Sequence, residues 1–526
     1  MNSLLVIYGG SLSNYAFEPV FDGKNSVELS VEQAKRFPGV GKIVLITSSG
    51  DFSFLNSVQN NIQIEQKDSW TKRSLLEKIS ELQTGFDIIY FIYADCPFLD
   101  PSLAAAIAER HIKYSAEYSY ADGWPYGLTP EIISPGTAGI LAKILGDDDG
   151  PVERDMLFSI IQKDINAFDI EAEISPVDLR CHRINLNADS KRNLLLLDNI
   201  LSAAGGKIPA SSDIEKIVTE QPQILRTLPS FYPIQVYGGC LQKCVICPYH
   251  LFTDSLNRKD FMDIGKFQTI LDKIITFSGD AVIDLSLWGE ISKHPDKIKI
   301  IEAVISRPEL SLIIETSGLG WKNEEIEKCS ALVSRQLTQN PGTRKNQLPP
   351  FSCIVSLDTA DPHKYSELKG PGFAEANDCA KKFLSLFPKD CYIQAVRVKG
   401  SEDDTEKFYR YWKENSPNGE KNIIIQKYDD FCGSLEKKQA SDISPLIRQS
   451  CWHIMRDFPV LIDGTVPLCK EALSVLKGDK KYILGNVFTD SLESIWKNGE
   501  KYYYEQCEKK YSGICTGCDE YYTYNF

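Results

Sequence analysis

The sequence predicts an α/β protein, and three observations carry that prediction. Strand and helix signals alternate through roughly the first 200 residues, and the alternation restarts near residue 231 after a small-residue stretch. The end of the chain then turns to short strands among clustered cysteines. A chain of 526 residues has room for about three domains. The expected division is 1–202, a linker at 203–230, 231–440 and 441–526. A content of 43% hydrophobic and 25% charged residues is globular and excludes disordered or fibrous architectures. With 58 Lys and Arg against 72 Asp and Glu, the net charge is −14, so no nucleic-acid partner is expected.

In the first block, residues 4–8 form an apolar run ending at Gly9-Gly10, a strand entering a turn. Residues 30–37 are helical in pattern, 42–47 a β-branched strand, 87–93 a strand stopping before Asp95, and 101–110 a helix. This order predicts a parallel sheet with helices on its faces. Ala203-Ala204-Gly205-Gly206 and Pro209-Ala210-Ser211-Ser212 are the linker signal. The second block offers strands at 233–237, 281–287, 311–315, 352–357, 392–398 and 422–426. Helices are expected at 266–277, 324–333, 373–386 and 404–412. Six strands mostly separated by helices predict a partial or full α/β barrel, whose chemistry sits at the C-terminal strand ends.

The opening residues MNSLLVIYGG carry no basic residue before a short apolar run, unlike an export signal. No apolar stretch approaches the ~20 residues of a membrane span. The expectation is a cytoplasmic protein without a membrane partner. In that reducing compartment, clustered cysteines bind metal or do redox chemistry more often than they pair.

Cys240, Cys244 and Cys247 lie on a loop after the first barrel strand. Three thiolates cannot complete a four-ligand structural zinc site alone. They suit an iron–sulfur cube with one iron left open. Three unrelated structural cysteines are the alternative, and the tight spacing at the catalytic rim argues against it.

This C-x3-C-x2-C loop resembles the signature of the radical SAM superfamily. The resemblance implies a 4Fe–4S cluster whose open iron chelates S-adenosyl-L-methionine (SAM). It also implies cleavage of SAM to a 5′-deoxyadenosyl radical, which abstracts hydrogen from a substrate. The residue before the third cysteine, usually aromatic there, is Ile246. Trp288-Gly289-Glu290 looks like the family's G-G-E motif, which implies that Gly289 lets the backbone approach SAM and that Glu290 pairs with its ammonium. Ser317 after the third strand, Ser356 and Asp358 after the fourth, and Arg397 on the fifth match further SAM contacts, with Arg397 the implied carboxylate partner. Alone, each of these would read as a strand-end polar residue.

Near the C-terminus, Asp463-Gly464 between 458–462 and 466–468 predicts a hairpin that brings Cys451 and Cys469 together. Cys515 and Cys518 form a C-x2-C knuckle, and four thiolates together also fit a zinc ribbon. The C-x9–15-G-x4-C spacing, followed by 485–488 and 491–496, resembles the SPASM extension of radical SAM enzymes. With too few cysteines for two clusters, it is similar to the shortened twitch variant. That implies an auxiliary 4Fe–4S cluster on Cys451, Cys469, Cys515 and Cys518, serving electron transfer. Cys507 is left over, as a spare thiol or a replacement for one of the four. The other seven cysteines, 96, 181, 329, 353, 379, 391 and 432, are expected to be small buried hydrophobes.

Gly9-Gly10, Gly23-Lys24 and the strand running into Asp95 resemble the nucleotidyltransferase-like α/β sandwich. In that family an acid at the position of Asp95 holds Mg²⁺. The glycine loop here lacks the family's arginine, and the 184–189 segment offers Asn where a second acid is expected. The whole arrangement resembles the spiro-SPASM protein family: a nucleotidyltransferase-like front, a radical SAM partial (β/α)6 barrel and a small Cys-rich SPASM/twitch tail. The resemblance to the wider SPASM group implies a small-molecule or peptide substrate, and an electron donor such as flavodoxin or ferredoxin is expected. Two other readings stay open: a bifunctional protein whose front is an active nucleotidyltransferase, and a non-catalytic metal-stabilised scaffold.

Overall fold

The computed structural model describes residues 1–48, 62–339 and 348–523. The chain divides into two compact units, Met1–Thr227 and Leu228–Phe526.

The first unit is built on a seven-stranded sheet. Its spatial order is Ile62–Gln66, Val40–Thr47, Ser3–Gly9, Ile88–Tyr93, Glu131–Ile133, Tyr118–Asp122 and Ile170–Ile174. The pairs run parallel except around Glu131–Ile133, which is antiparallel to both neighbours. All seven residues of Ser3–Gly9 are buried, as a strand covered on both faces requires. The helix Pro101–Lys113 starts after Asp100, whose carboxylate accepts from Ser102 N at 2.8 Å.

The expected linker at 203–230 needs correction. Residues Ser211–Glu220 form a helix whose Ile214, Ile217 and Val218 are buried. Ser211 N also donates to the second oxygen of Asp100 at 2.8 Å. An amphipathic stripe inside a small-residue segment makes it part of the first unit, which runs to Thr227.

The second unit holds the six-stranded sheet. Phe231–Pro233, Ala281–Asp284, Leu310–Thr316, Phe351–Ser356, Cys391–Arg397 and Ile423–Lys427 follow one another in sequence order, all parallel. Helices Ile264–Ser278, Lys297–Ile305, Asn323–Gln339, Phe373–Leu386 and Glu402–Asn415 lie between strands, as a right-handed parallel crossover demands. This is the partial barrel the alternation predicts.

The predicted hairpin at Asp463-Gly464 forms its turn and one rung, Leu461 N to Thr465 O at 2.8 Å, but no longer ladder. Gly464 takes φ 84° and its N–H reaches Leu461 O at 2.9 Å. The preceding segment instead runs beside the first barrel strand: Phe458 N donates to Phe231 O at 2.9 Å and Val460 N to Pro233 O at 2.8 Å. Thr465–Pro467 pairs with Ile483–Asn486. An open barrel edge offers unpaired backbone groups, and residues 457–460 satisfy them. Among the described residues, no helix is long and apolar enough to cross a membrane.

Candidate functional site

A cavity of about 580 Å³ lies at the barrel mouth of the second unit. Cys240, Cys244 and Cys247 line it, on a loop anchored by Cys240 N to Ser255 O at 2.8 Å and by Val245 N to Leu368 O at 2.9 Å. Burial pushes the Cys240 and Cys247 thiols up to about 12, Glu290 adding to the effect on Cys240. Three thiols on one loop at the cavity wall are one short of a structural zinc site and fit an iron–sulfur cube with one iron left open.

Gly289, Glu290, Ser317 and Ser356 line the same cavity. A Cβ on Gly289 would stand 1.8 Å from Tyr237 O, so the second-strand loop can approach the cysteine loop only with glycine there. Glu290 N then donates to Gly239 O at 2.8 Å. The Glu290 carboxylate, 3% exposed, accepts from Thr316 Oγ1 at 2.7 Å, Ser317 N at 2.8 Å, Ser317 Oγ at 2.7 Å and Ser292 N at 3.2 Å. Ser317 thus orients Glu290.

Asp358 and Arg397 do not line this cavity. Asp358, at φ 65°, accepts from Val396 N at 2.9 Å and faces Lys369 Nζ at 2.8 Å. Arg397 is exposed, which corrects its expected role beside SAM. Strand side chains alternate, and Gln394 and Val396 take the inward positions, leaving Arg397 outside. The buried cation of the cavity is Lys369, which ends the helix Pro362–Lys369 and donates to Ser356 O at 2.6 Å and Ser356 Oγ at 3.0 Å. The remaining wall is acidic and basic by turns: Asp284, Glu315, Asp429, Asp457, Lys427 and Lys470. Burial pushes the Asp284 carboxyl up to about 7.

A second, small cavity is lined by Cys451, Cys469, Cys515 and Cys518, the four expected cysteines, and by Cys432. Gln506 ties the group together: its amide oxygen accepts from Cys451 N at 2.8 Å and its nitrogen donates to Cys515 Sγ at 3.4 Å. Cys507 stands outside the lining, its sulfur accepting from Ser450 Oγ at 3.5 Å. Cys432 is not the buried hydrophobe that the sequence suggests. Cys96, Cys329, Cys353, Cys379 and Cys391 are buried, and Cys181 is exposed.

In the first unit, Asp95 is 2% exposed at the end of the central strand Ile88–Tyr93. Arg154 grips it, Nη1 to Oδ1 at 3.2 Å and Nη2 to Oδ2 at 2.5 Å, and the same Nη2 lies 3.5 Å from Asp189. The guanidinium sits between the rings of Tyr93 and Tyr126, at 5.2 and 5.7 Å. The second acid is therefore Asp189, two residues beyond the Asn where one was expected. The Mg²⁺ expected at Asp95 does not fit: the internal cation Arg154 already occupies the position facing both acids.

Residues 451–519 match the SPASM family, an iron-sulfur cluster-binding domain. An uncharacterized protein of Treponema pallidum (strain Nichols) is 32% identical over 379 residues, covering 70% of this chain and 98% of its own. The chain belongs to the family of that treponemal protein. A further uncharacterized protein of the same organism is 39% identical over 61 residues, 12% of this chain and 28% of its own. Among solved structures, Streptococcus suis SuiB bound to S-adenosylmethionine is 14% identical with TM-score 0.39, over 64% of this chain and 88% of that one. BtrN in complex with AdoMet and 2-DOIA is 14% identical with TM-score 0.35, over 56% and 94%. A cytidylyltransferase from Leptospira borgpetersenii is 15% identical with TM-score 0.36, over 43% and 95%.

Two residues of this family member escape sequence reasoning. Lys369 before Gly370 reads as a C-terminal helix cation, a common dipole partner. Cys432 stands 19 positions before Cys451 in a loop without a recognisable spacing. Only the folded chain brings either to its cavity.

Proposed function

We propose that the chain is a radical SAM enzyme with one auxiliary cluster. The observation that carries this reading is convergence: the Cys240 loop, Glu290 and Lys369 meet at one cavity at the C-terminal ends of parallel strands. When bound, a 4Fe–4S cluster on Cys240, Cys244 and Cys247 supplies the electron that cleaves SAM to a 5′-deoxyadenosyl radical.

The chain's own residues then have separate tasks. Glu290, fixed by Thr316, Ser317 and Ser292, presents a carboxylate to an ammonium entering the cavity. Lys369, held between Ser356 and Asp358, presents the opposite charge, the role the sequence assigns to Arg397. Apolar walls from Ile313, Ile354, Val396 and Ile424 exclude water from the space between them. Asp284, Glu315, Lys427 and Lys470 on the cavity wall suit a polar substrate bearing hydroxyl or amino groups, whether a small molecule or a peptide side chain. Cys451, Cys469, Cys515 and Cys518 hold the second cluster, which passes electrons. A flavodoxin or ferredoxin supplies the first electron, in the cytoplasm.

The test is anaerobic 5′-deoxyadenosine formation by reconstituted protein with reductant and SAM. It is run alone, with a small-molecule extract and with a peptide fraction, beside Cys240→Ala. One fraction is expected to stimulate product at least tenfold in the wild type and not in the variant. Full iron loading with no product above the variant in any fraction would sink the reading.

A further inference from the structure

A surface groove of the second unit is lined by residues of the strand Ile483–Asn486 and of the helices Leu492–Asn498 and Glu500–Cys507. Its charged side chains are Lys480, Lys481, Lys497 and Lys501 against a single acid, Glu500. All four lysines are exposed, and none stands in an ion pair among the described residues. This is a local positive excess on a chain whose net charge is −14. Such a patch draws in an oppositely charged partner and sets where it lands. Tyr502 and Tyr504 add flat aromatic area to the same groove, with Lys501 Nζ 4.8 Å from the Tyr502 ring.

A second observation says what the partner comes for. One buried ring joins the groove to the C-terminal thiols. The Tyr502 ring lies 6.4 Å from that of Tyr482, and the Tyr502 hydroxyl donates to Lys481 O at 3.1 Å. Tyr482, only 6% exposed, packs in the same apolar cluster as Cys451 and Cys515. Leu468 N donates to its carbonyl at 2.8 Å, and Ile514 N to its hydroxyl at 3.2 Å. Leu468 and Ile514 immediately precede Cys469 and Cys515. Gly513, at φ 59°, allows this approach, because a Cβ there would overlap the Tyr482 hydroxyl. The lysine groove, one ring and the backbone beside two thiols therefore form a continuous packed route.

We propose that this groove docks an acidic one-electron carrier protein, which exchanges electrons with the auxiliary cluster. This rests on the auxiliary-cluster reading above. A cube held by four protein thiols has no iron open to a substrate, so electrons are what it passes. In the reducing direction one electron leaves the carrier's cofactor and enters the cluster: the carrier is oxidised, the cluster is reduced, and no bond is made or broken. Exposed lysines raise the rate of encounter more than the strength of the complex. That suits a small, transient interface whose partner leaves after each transfer. A single-stranded nucleic acid also uses lysines and rings, but it has no use for a packed route to the thiols.

The experiment uses the full chain with Cys240, Cys244 and Cys247 changed to Ala and iron–sulfur reconstituted, so that the second cluster alone is read. Its anaerobic reduction is followed by stopped-flow absorbance with two reductants, a reduced flavodoxin as the acidic carrier and reduced methyl viologen as a small cation. The double change Lys497→Glu and Lys501→Glu is expected to slow reduction by flavodoxin at least tenfold, and raising salt to about 0.5 M to slow the unchanged groove comparably. Reduction by methyl viologen is not slowed by the double change, which shows cluster and fold intact. Lys497→Gln with Lys501→Gln should fall between, and Lys35→Glu with Arg36→Glu, an equal charge change in the first unit, should leave both rates alone. A flavodoxin rate indifferent to the groove lysines overturns the proposal. So does a groove whose lysines govern binding of a single-stranded oligonucleotide and not the flavodoxin rate. A triple-alanine chain that takes up no iron would instead overturn the auxiliary-cluster reading on which the proposal stands.

Discussion

Glu290 and Gly289 work as a pair: the glycine lets two loops touch, and the touch aims the acid. Gly289→Ala puts a methyl group against Tyr237 O, where backbone on both sides leaves no soft neighbour to yield. The loops must part, and the expected result is SAM binding weakened at least tenfold by equilibrium dialysis, with iron content unchanged. At Asp95 the deciding partner is Arg154. Removing the guanidinium leaves the buried Asp95 and the half-buried Asp189 without their shared cation, a setting that favours a divalent cation. Arg154→Gln is therefore expected to bind Mn²⁺ by EPR titration, while the wild type at the same concentration does not. Asp284 links charge to stability. Its buried carboxyl titrates near 7 against about 4 in an unfolded chain. The folded state thus holds the proton more tightly, and the stability present below about pH 4 is lost as pH rises through about 7. Asp284→Asn stays neutral throughout. It is expected to exceed the wild type by up to about 4 kcal/mol at pH 8 and to match it at pH 4, by denaturant titration.

At the scale of elements, the barrel strands and their helices are legible because a parallel strand covered on both faces is a continuous apolar run. Leu310–Thr316 and Phe373–Leu386 lie within a residue or two of their expected places. The segment around Phe458 is not legible in the same way. Its apolar pattern and the Asp-Gly turn describe a strand, but not which strand it joins, and the partner is more than 200 residues away in Phe231–Pro233. The pairing makes its own prediction. Val460→Pro removes the N–H that reaches Pro233 O and reopens the barrel edge. The variant is expected to lose about 1–3 kcal/mol of stability, read as a lower thermal midpoint of the second unit. The helix Ser211–Glu220 is the opposite case, where small residues suggested a linker. Its four-residue spacing of Ile214 and Val218 is the signal that shows it packs.

At the scale of the molecule, each unit has its own core, and all the cysteines of the two cavities lie in Leu228–Phe526. Ligands that bind a folded state raise the stability of the unit that holds them. Calorimetry is expected to show two transitions, and iron–sulfur reconstitution to raise only one. A rise in both would mean the units do not unfold independently. The sequence by itself determined the α/β class, the six-stranded barrel, the Cys240 loop, and Glu290 beside it. These rest on short-range spacing: apolar periodicity sets the strands, and three cysteines within eight residues share a loop in any fold. Tertiary structure alone decided that Lys369 faces the cavity, that Arg397 does not, that Arg154 occupies the acids of the first unit, and that Cys432 joins the second thiol group. Each depends on strand parity, loop closure or a contact between distant segments, and residue spacing in one dimension carries no information about which distant backbones meet.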